Sequence, residues 1–130
     1  MSHIYVKAKF YNPFEYVEYV QGRRAWEEVR KVEVKALVDT GATFPALPEE
    51  LVEKLGLFVL KEVNGEIAEG ERKLKLTSTL VEIDERSAVS YTIIRPSKTT
   101  ALIGVVALEQ MGYRLDPMTG ELIKGLPLMF

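Results

Sequence analysis

The sequence has 130 residues, of which 47% are hydrophobic and 28% charged. This length and composition predict one domain over residues 1–130 with enough apolar side chains for a core, and they exclude a disordered or collagen-like chain. The formal net charge of -2 lacks the basic excess of a protein that follows nucleic-acid phosphates, so we expect no nucleic-acid partner.

The residue types that the chain lacks narrow its chemistry. It contains no cysteine, which excludes disulfides, thiolate nucleophiles and zinc–cysteine sites. The single histidine, His3, is too little for a histidine metal cluster and makes a Ser-His-Asp site hard to build. We therefore expect no metal and no cofactor, and any acid–base catalysis must come from carboxylates, lysines or tyrosines.

No segment approaches the roughly 20 uninterrupted apolar residues of a membrane span. The first residues also lack the basic segment and apolar core of a signal peptide. We therefore expect a cytoplasmic protein without a membrane partner.

Alternating apolar residues and β-branched residues predict strands along most of the chain. The predicted strands are Ile4 to Phe10, Val32 to Val38, Leu74 to Ile83 and Val89 to Ile94. The last two flank a polar turn that begins at Asp84, so we expect them to pair as a hairpin.

Two short helices are predicted. The first begins at Pro48, carries two glutamates in its first turn and stops at Gly56. The second runs from Val105 to Met111 before Gly112, and a hairpin from Tyr113 to Ile123 follows it. The sequence predicts no particular structure for the aromatic and charged stretch between Asn12 and Arg30. Taken together, the predicted strands and helices indicate a mostly-β domain.

The segment with the clearest chemistry follows the second predicted strand. Ala36, Leu37 and Val38 lead directly to Asp39, Thr40 and Gly41. Burying a carboxylate at the end of an apolar strand is costly unless it accepts hydrogen bonds or shares a proton with another acid. A glycine two residues later permits a tight turn, and a threonine hydroxyl can hydrogen-bond to the backbone and hold that turn.

Asp-Thr-Gly is also a good ordinary turn, so the tripeptide alone favours a structural role. Its flanks change that interpretation, and here the sequence resembles the retropepsin-like aspartic proteases, the single-domain relatives of retroviral protease. The resemblance covers about residues 32 to 124. It is carried by Leu37-Val38-Asp39-Thr40-Gly41-Ala42-Thr43 with Leu47-Pro48, by Leu102-Ile103-Gly104, and by the ending from Gly112 to Leu122.

The resemblance implies a closed β-barrel with one or two short helices and an endopeptidase that acts on polypeptides. Peptide hydrolysis by water needs two acids, and Asp84 and Asp116 lie in polar or turn segments. The second carboxylate must therefore come from another copy, so we expect a homodimer with one Asp39 from each subunit. By resemblance, Thr40 bridges the two active-site loops and Gly41 lets backbone approach the carboxylates.

Ala42 and the segment from Val63 to Gly70 carry two further expectations. A serine in place of Ala42 would donate a hydrogen bond to the carboxylate and stabilise its ionised form, whereas alanine cannot, so we expect a pH optimum nearer neutral. The family closes a hairpin flap over its substrate. The flap candidates here are Gly65, Ile67, Ala68 and Gly70, and the alternative for each of them is a plain surface hairpin.

Flap residues Glu66 and Glu69 would disfavour acidic substrates if their side chains face inward. Val105 and Val106 stand where retroviral enzymes usually carry a polar or charged pair used in dimer contacts. The apolar tail, residues 126–130, predicts either a docking segment or terminal strands of a dimer sheet, and the latter is favoured.

Two other classes of protein remain as alternatives to the protease. One is a catalytically idle module of the same fold that binds peptides or a protein partner. The other is a structural β-barrel with a chance Asp-Thr-Gly turn, which Leu102-Ile103-Gly104 makes the weaker alternative.

Overall fold

The computed structural model describes residues 4–67, 70–116 and 118–125. Nine strands and three α-helices follow one another over these described residues. The strands are β1 Ile4–Tyr11, β2 Lys31–Val38, β3 Ala46–Pro48, β4 Lys61–Ile67, β5 Gly70–Ile83, β6 Arg86–Arg95, β7 Leu102–Ile103, β8 Tyr113–Leu115 and β9 Leu122–Lys124. The helices are α1 Pro13–Val20, α2 Glu49–Lys54 and α3 Val105–Met111, with a 3-10 turn at Trp26–Glu28.

Seven strands form one sheet in the order β1-β2-β7-β3-β6-β5-β4. Strand β1 also pairs with β5, through Lys9↔Glu82 to Tyr11↔Leu80, so six of the strands close into a ring. Strand β4 stays outside this ring and extends from β5 as a long hairpin. Residues 9–11 of β1 are therefore paired on both edges, with β2 and with β5.

Alternating side chains of the ring strands supply the core. Ala8 and Phe10 of β1 are fully buried while the intervening Lys9 is exposed, as the period of two predicts. Ile103 of β7 and Leu47 of β3 are also fully buried. Each such large side chain contributes about 1.5–3 kcal/mol to folding, so the core depends on many similar contributions.

The predicted elements are largely confirmed. All four strands are present, and β5 and β6 form the expected hairpin around Asp84. Helix α2 starts after Pro48, α3 has the predicted bounds, and Gly56 and Gly112 follow the helix ends with φ of 69° and 78°. The final hairpin is formed by β8 and β9.

The unassigned stretch between β1 and β2 contains a third helix, α1. Asn12 caps it, because its side-chain oxygen accepts hydrogen bonds from the backbone N–H groups of Phe14 and Glu15 at 3.0 and 3.1 Å. The amide Nδ2 of the same side chain donates to the carbonyl of Leu55 at 2.9 Å. One buried asparagine therefore starts α1 and fastens it to the end of α2.

The aromatic residues of this stretch pack mainly on one another. Their ring centroids lie 5.0–6.1 Å apart, which is the usual spacing of aromatic contacts. The cluster consists of Tyr11, Tyr16, Tyr19 and Trp26. The ammonium group of Lys31 lies 4.1 Å from the centroid of the Trp26 ring. These contacts account for the aromatic composition as packing between α1, the 3-10 turn and the barrel.

An ion pair between the buried Glu15 and the exposed Arg30 holds the same stretch against the barrel. Arg30 donates to Glu15 from its side chain, with Nη2 to Oε2 at 2.6 Å, and from its backbone N–H at 3.0 Å. These hydrogen bonds lower the pKa of Glu15 below its ordinary 4.5, although burial opposes them. The ion pair therefore stabilises the fold at neutral pH. This contribution decreases as the pH falls below 4.5, because Glu15 becomes protonated.

We expect Glu15→Gln to lower the free energy of unfolding by about 1.5–3 kcal/mol at pH 7, the usual value of hydrogen bonds to charged groups. The difference from the wild type should shrink towards pH 3. Urea unfolding at both pH values measures it. Glu18→Gln is the matched control, because Glu18 contacts Arg24 at the surface and should contribute less than about 1 kcal/mol. An equal loss at both pH values would contradict the assignment to the ionised pair.

Among the described residues, no helix is both long and apolar enough to cross a membrane. The apolar tail, residues 126–130, lies outside the described residues, as does His3.

Candidate active site

Asp39 follows directly after β2, where that strand pairs in parallel with β7. The register is Leu37↔Leu102 and Val38↔Ile103. The backbone N–H of Asp39 donates to the carbonyl of Ile103 at 3.0 Å, which continues the ladder by one residue. The two apolar motifs of the sequence, separated by about sixty residues, therefore lie side by side and hold Asp39 at the end of the barrel strand.

The turn after Asp39 orients its carboxylate. The N–H of Gly41 donates to Asp39 Oδ1 at 2.9 Å, and the N–H of Ala42 donates to the Asp39 carbonyl at 3.1 Å. A Cβ at position 41 would lie 3.3 Å from Oδ1, so a glycine leaves the carboxylate uncrowded. Asp39 is half-buried and Thr40 is exposed.

The expected role of Thr40 in holding this turn is filled by other groups. Its hydroxyl makes no hydrogen bond with the residues that the structure describes, and the backbone N–H groups of Gly41 and Ala42 close the turn instead. An exposed hydroxyl beside the carboxylate is thus left available to a group from outside the chain.

The remainder of the Asp39 loop, which we define as residues 39–45, caps helix α3. The N–H groups of Val105 and Val106 donate to the carbonyls of Ala42 and Thr43 at 2.8 and 3.1 Å. This contact satisfies backbone donors at the start of the helix, where no side chain caps it. The loop and the helix therefore fix each other's position.

Gly104 makes this close approach feasible. A Cβ built on it would lie 2.5 Å from the carbonyl carbon of Phe44 and 2.7 Å from the carbonyl oxygen of Thr43. Both atoms belong to backbone, which cannot move aside as the end of a side chain can. The glycine of the Leu102-Ile103-Gly104 motif is therefore required by packing against the Asp39 loop.

A cleft of about 1010 Å³ lies between the Asp39 loop and the β4–β5 hairpin. Its walls come from residues 41–44, 63–66, 72–75 and 93–96, with further contacts from Ala46, Glu49, Thr99 and Leu102. Asp39 does not itself line the cleft, but it lies two residues before the lining residue Gly41 and is hydrogen-bonded to it. The cleft is large enough for several side chains of a ligand.

The predicted flap is a β-hairpin, with β4 and β5 paired from Lys61↔Leu76 to Ile67↔Gly70. Gly65 lines the cleft, and the side chain of Leu74 occupies the space that a Cβ on Gly65 would take. Ile67 ends β4 and Gly70 begins β5, whereas Ala68 and Glu69 lie outside the described residues. The structure therefore brings the hairpin stem to the site.

The other two aspartates lie in turns of other hairpins. Asp84 is in the β5–β6 turn with φ of 55°, and Asp116 accepts a hydrogen bond from the N–H of Met118 beside β8. Both aspartates therefore occupy positions that are ordinary for turn residues. Over residues 4–67, 70–116 and 118–125, no group of three His, Cys, Asp or Glu side chains could hold a metal ion.

Several cleft residues were not predicted from the sequence, notably Phe44, Arg72 and Arg95. Each lies on a different element, and no motif joins them. The pairing of β3 with β6, through Pro48↔Arg95, and of β5 with both β4 and β6 brings these parts of the chain together.

Comparison with known proteins agrees with this geometry. Residues 28–110 match the family model described as "gag-polyprotein putative aspartyl protease". No curated protein sequence matches the chain.

Two solved structures share the fold. A retropepsin-like aspartic protease from Rickettsia conorii is similar with a TM-score of 0.55 and 24% identity, over 88% of this chain and 77% of that one. The protease of Simian Foamy Virus (mac) is similar with a TM-score of 0.52 and 15% identity, over 81% and 91%. The predicted mostly-β barrel is confirmed, with α1 as a helix beyond the two predicted from the sequence.

Proposed function

The chain belongs to the retropepsin-like aspartyl protease family, and we propose that it is an aspartic endopeptidase that works as a homodimer on polypeptides. The observation that carries this proposal is the half-buried Asp39 carboxylate, held by the Gly41 N–H beside a cleft under a β-hairpin. A carboxylate held at the edge of a large cleft suits acid–base work on a bound chain.

The requirement for two carboxylates supports the dimer. Water must lose a proton to attack the peptide carbonyl, and a second acid must donate a hydrogen bond to the carbonyl oxygen and later a proton to the leaving amine. Two neighbouring carboxyl groups that share one proton supply both roles. Since Asp84 and Asp116 lie in turns of other hairpins, the second group in this proposal is Asp39 of another copy.

Each residue of the turn then has a defined role. One Asp39 carboxylate accepts the water proton and the other, protonated, polarises the carbonyl, with the roles belonging to the pair as a whole. The N–H of Gly41 keeps each carboxylate in position, and the exposed Thr40 contacts the opposite loop across the two-fold axis. The β4–β5 hairpin closes over the substrate and excludes water.

Casein cleavage between pH 3 and 8 tests the activity, and dilution tests the dimer. If two chains form each site, activity should fall more steeply than enzyme concentration once the dimer dissociates, and the loss should coincide with a fall in molecular mass. Activity strictly proportional to concentration in a monomeric sample would contradict the shared site. Peptide binding without cleavage would favour the idle binding module instead.

Ala42 predicts the pH range of that activity. We expect Ala42→Ser to move the acidic limb of the pH profile down by about one unit, because a hydroxyl that donates to the carboxylate stabilises its ionised form. Profiles of kcat/KM against pH measure the shift. Ala42→Val is the control, since it adds bulk without a donor. A profile that stays in place with serine would contradict this role of position 42.

A further inference from the structure

The cleft has the opposite charge sign to the protein as a whole. Among the residues that the structure describes, six charged ones line it, four basic and two acidic. The basic ones are Arg72, Lys73, Lys75 and Arg95, and the acidic ones are Glu49 and Glu66. The formal charge of the lining is therefore +2, from 4 − 2, whereas the whole chain carries -2. The positive sign is a local property of the cleft.

The cross-strand register shows which of these cations lack compensation. Arg72 pairs with Gly65, which has no side chain, and Lys73 pairs with the neutral Asn64. Lys75, by contrast, lies directly opposite Glu62. In the described part of the chain, none of the six lining charges takes part in an ion pair. Arg72 and Lys73 thus provide uncompensated positive charge on the hairpin stem.

A third cation lies on the facing wall. Arg95 ends β6 and is half-buried, and its guanidinium donates to the carbonyl of Thr100, which leaves its charge unneutralised. Positive charge consequently borders the cleft from both the hairpin and the barrel. Low-dielectric walls around such charges concentrate their field on whatever occupies the cleft.

Among the described lining residues of the hairpin, Glu66 is acidic, whereas Arg72, Lys73 and Lys75 are basic. Glu66 lines the cleft near the hairpin end, opposite Glu71, and Glu71 lies outside the lining. Glu69 lies outside the described residues. The expectation that Glu66 would disfavour acidic substrates is therefore opposed by the larger number of basic residues on the stem and the facing wall.

We propose that this cleft selects polypeptides with aspartate or glutamate close to the cleaved bond, an inference that rests on the proposed endopeptidase function. The distance over which this selection acts follows from the screening of charges by salt. Exposed charges interact over about 8 Å at 0.15 M salt, and an extended peptide advances about 3.3 Å per residue. A peptide carboxylate therefore interacts with one of these cations when it lies within about two residues of the peptide position closest to that cation.

Three peptides that differ only in their flanking residues test the selection. Each has the same apolar centre, to suit Val63, Leu74 and Ile93 of the lining, and carries two Glu, two Gln or two Lys within three residues of it. We expect kcat/KM to decrease from Glu to Gln to Lys, with about a tenfold ratio between Glu and Lys at 0.05 M salt. The ratio should approach one at 1 M salt because the charges are screened.

Charge variants identify the residues responsible. Arg72→Gln should reduce the Glu-to-Lys ratio several-fold, and Glu66→Gln should increase it. Arg114→Gln removes the same charge from an exposed position on β8, outside the cleft, and should leave the ratio unchanged. Equal ratios in Arg72→Gln and Arg114→Gln would show that net charge alone acts, and would overturn the proposal.

Binding separates this proposal from the proposed function. Fluorescence anisotropy with the Asp39→Asn variant measures affinity for the three labelled peptides without any cleavage. Tighter binding of the Glu peptide supports the charge selection even if the wild type cuts nothing. Cleavage of all three peptides at equal kcat/KM, or a preference for Lys, overturns the selection while the protease activity stands. If none of the three peptides binds, the charge selection is also overturned.

Discussion

Asp39→Asn is expected to reduce casein cleavage at least about a thousandfold at every pH between 3 and 8. In the proposed homodimer the substitution removes both carboxylates at once, so neither the water nor the carbonyl has an acid–base partner. Asparagine keeps the size of the side chain and an oxygen that can accept from the Gly41 N–H, so the turn should persist. Initial rates of peptide release, with circular dichroism and molecular mass measured on the same sample, check this expectation.

Asp84→Asn is the matched control for that experiment. It makes the same chemical change in the β5–β6 turn, where the positive φ of 55° suits asparagine. Its activity should equal that of the wild type. Equal cleavage by wild type and Asp39→Asn would point to a contaminating protease and would reject Asp39 as the catalytic carboxylate.

Gly104→Ala is expected to lower the free energy of unfolding by about 3 kcal/mol, or the melting temperature by about 10 °C. The added methyl would lie 2.5 Å from a backbone carbon of Phe44, so either the Asp39 loop or helix α3 must move. Activity should fall further than stability explains, because the same movement displaces the Asp39 loop. Thermal unfolding and kcat/KM, measured below the melting temperature of the variant, separate the two effects.

Gly125→Ala provides the comparison at a less crowded glycine. Its added methyl would lie 3.3 Å from one backbone oxygen, that of Gly112, which a shift of a few tenths of an ångström relieves. We expect a change of less than about 1 kcal/mol there. If both variants unfold at the same temperature, the close packing of Gly104 against the loop is not what requires the glycine.

Local signals in the sequence were sufficient to predict most of the strands that form the ring. Alternation predicted β1, β2 and β5, and capping residues predicted α2 and α3, because these signals act between neighbouring residues. The hairpin around Asp84 could be predicted in the same way. Strands β3 and β7, of three and two residues, were not, since such short strands are defined by their partners rather than by their own pattern.

Helix α1 was missed for a related reason. Pro13 at its first position and Asn12 as its cap are recognisable start signals. However, the following residues are mostly aromatic or β-branched and include exposed apolar side chains, such as Phe14 and Val17, so no apolar face stands out. The helix is held by the Asn12 contact to Leu55 and by the Glu15–Arg30 pair, which link distant parts of the chain.

The sequence by itself determined the chemistry available to this protein: one aspartate after an apolar strand, with neither cysteine nor a histidine cluster to replace it. It also determined the fold class, since motif and alternation are local properties. Only the tertiary structure decided which side chains line the cleft, because the cleft joins the Asp39 loop, two hairpin strands and the end of β6. The positive charge of that cleft depends on strand register, and a register is set by pairing between segments rather than by either segment alone.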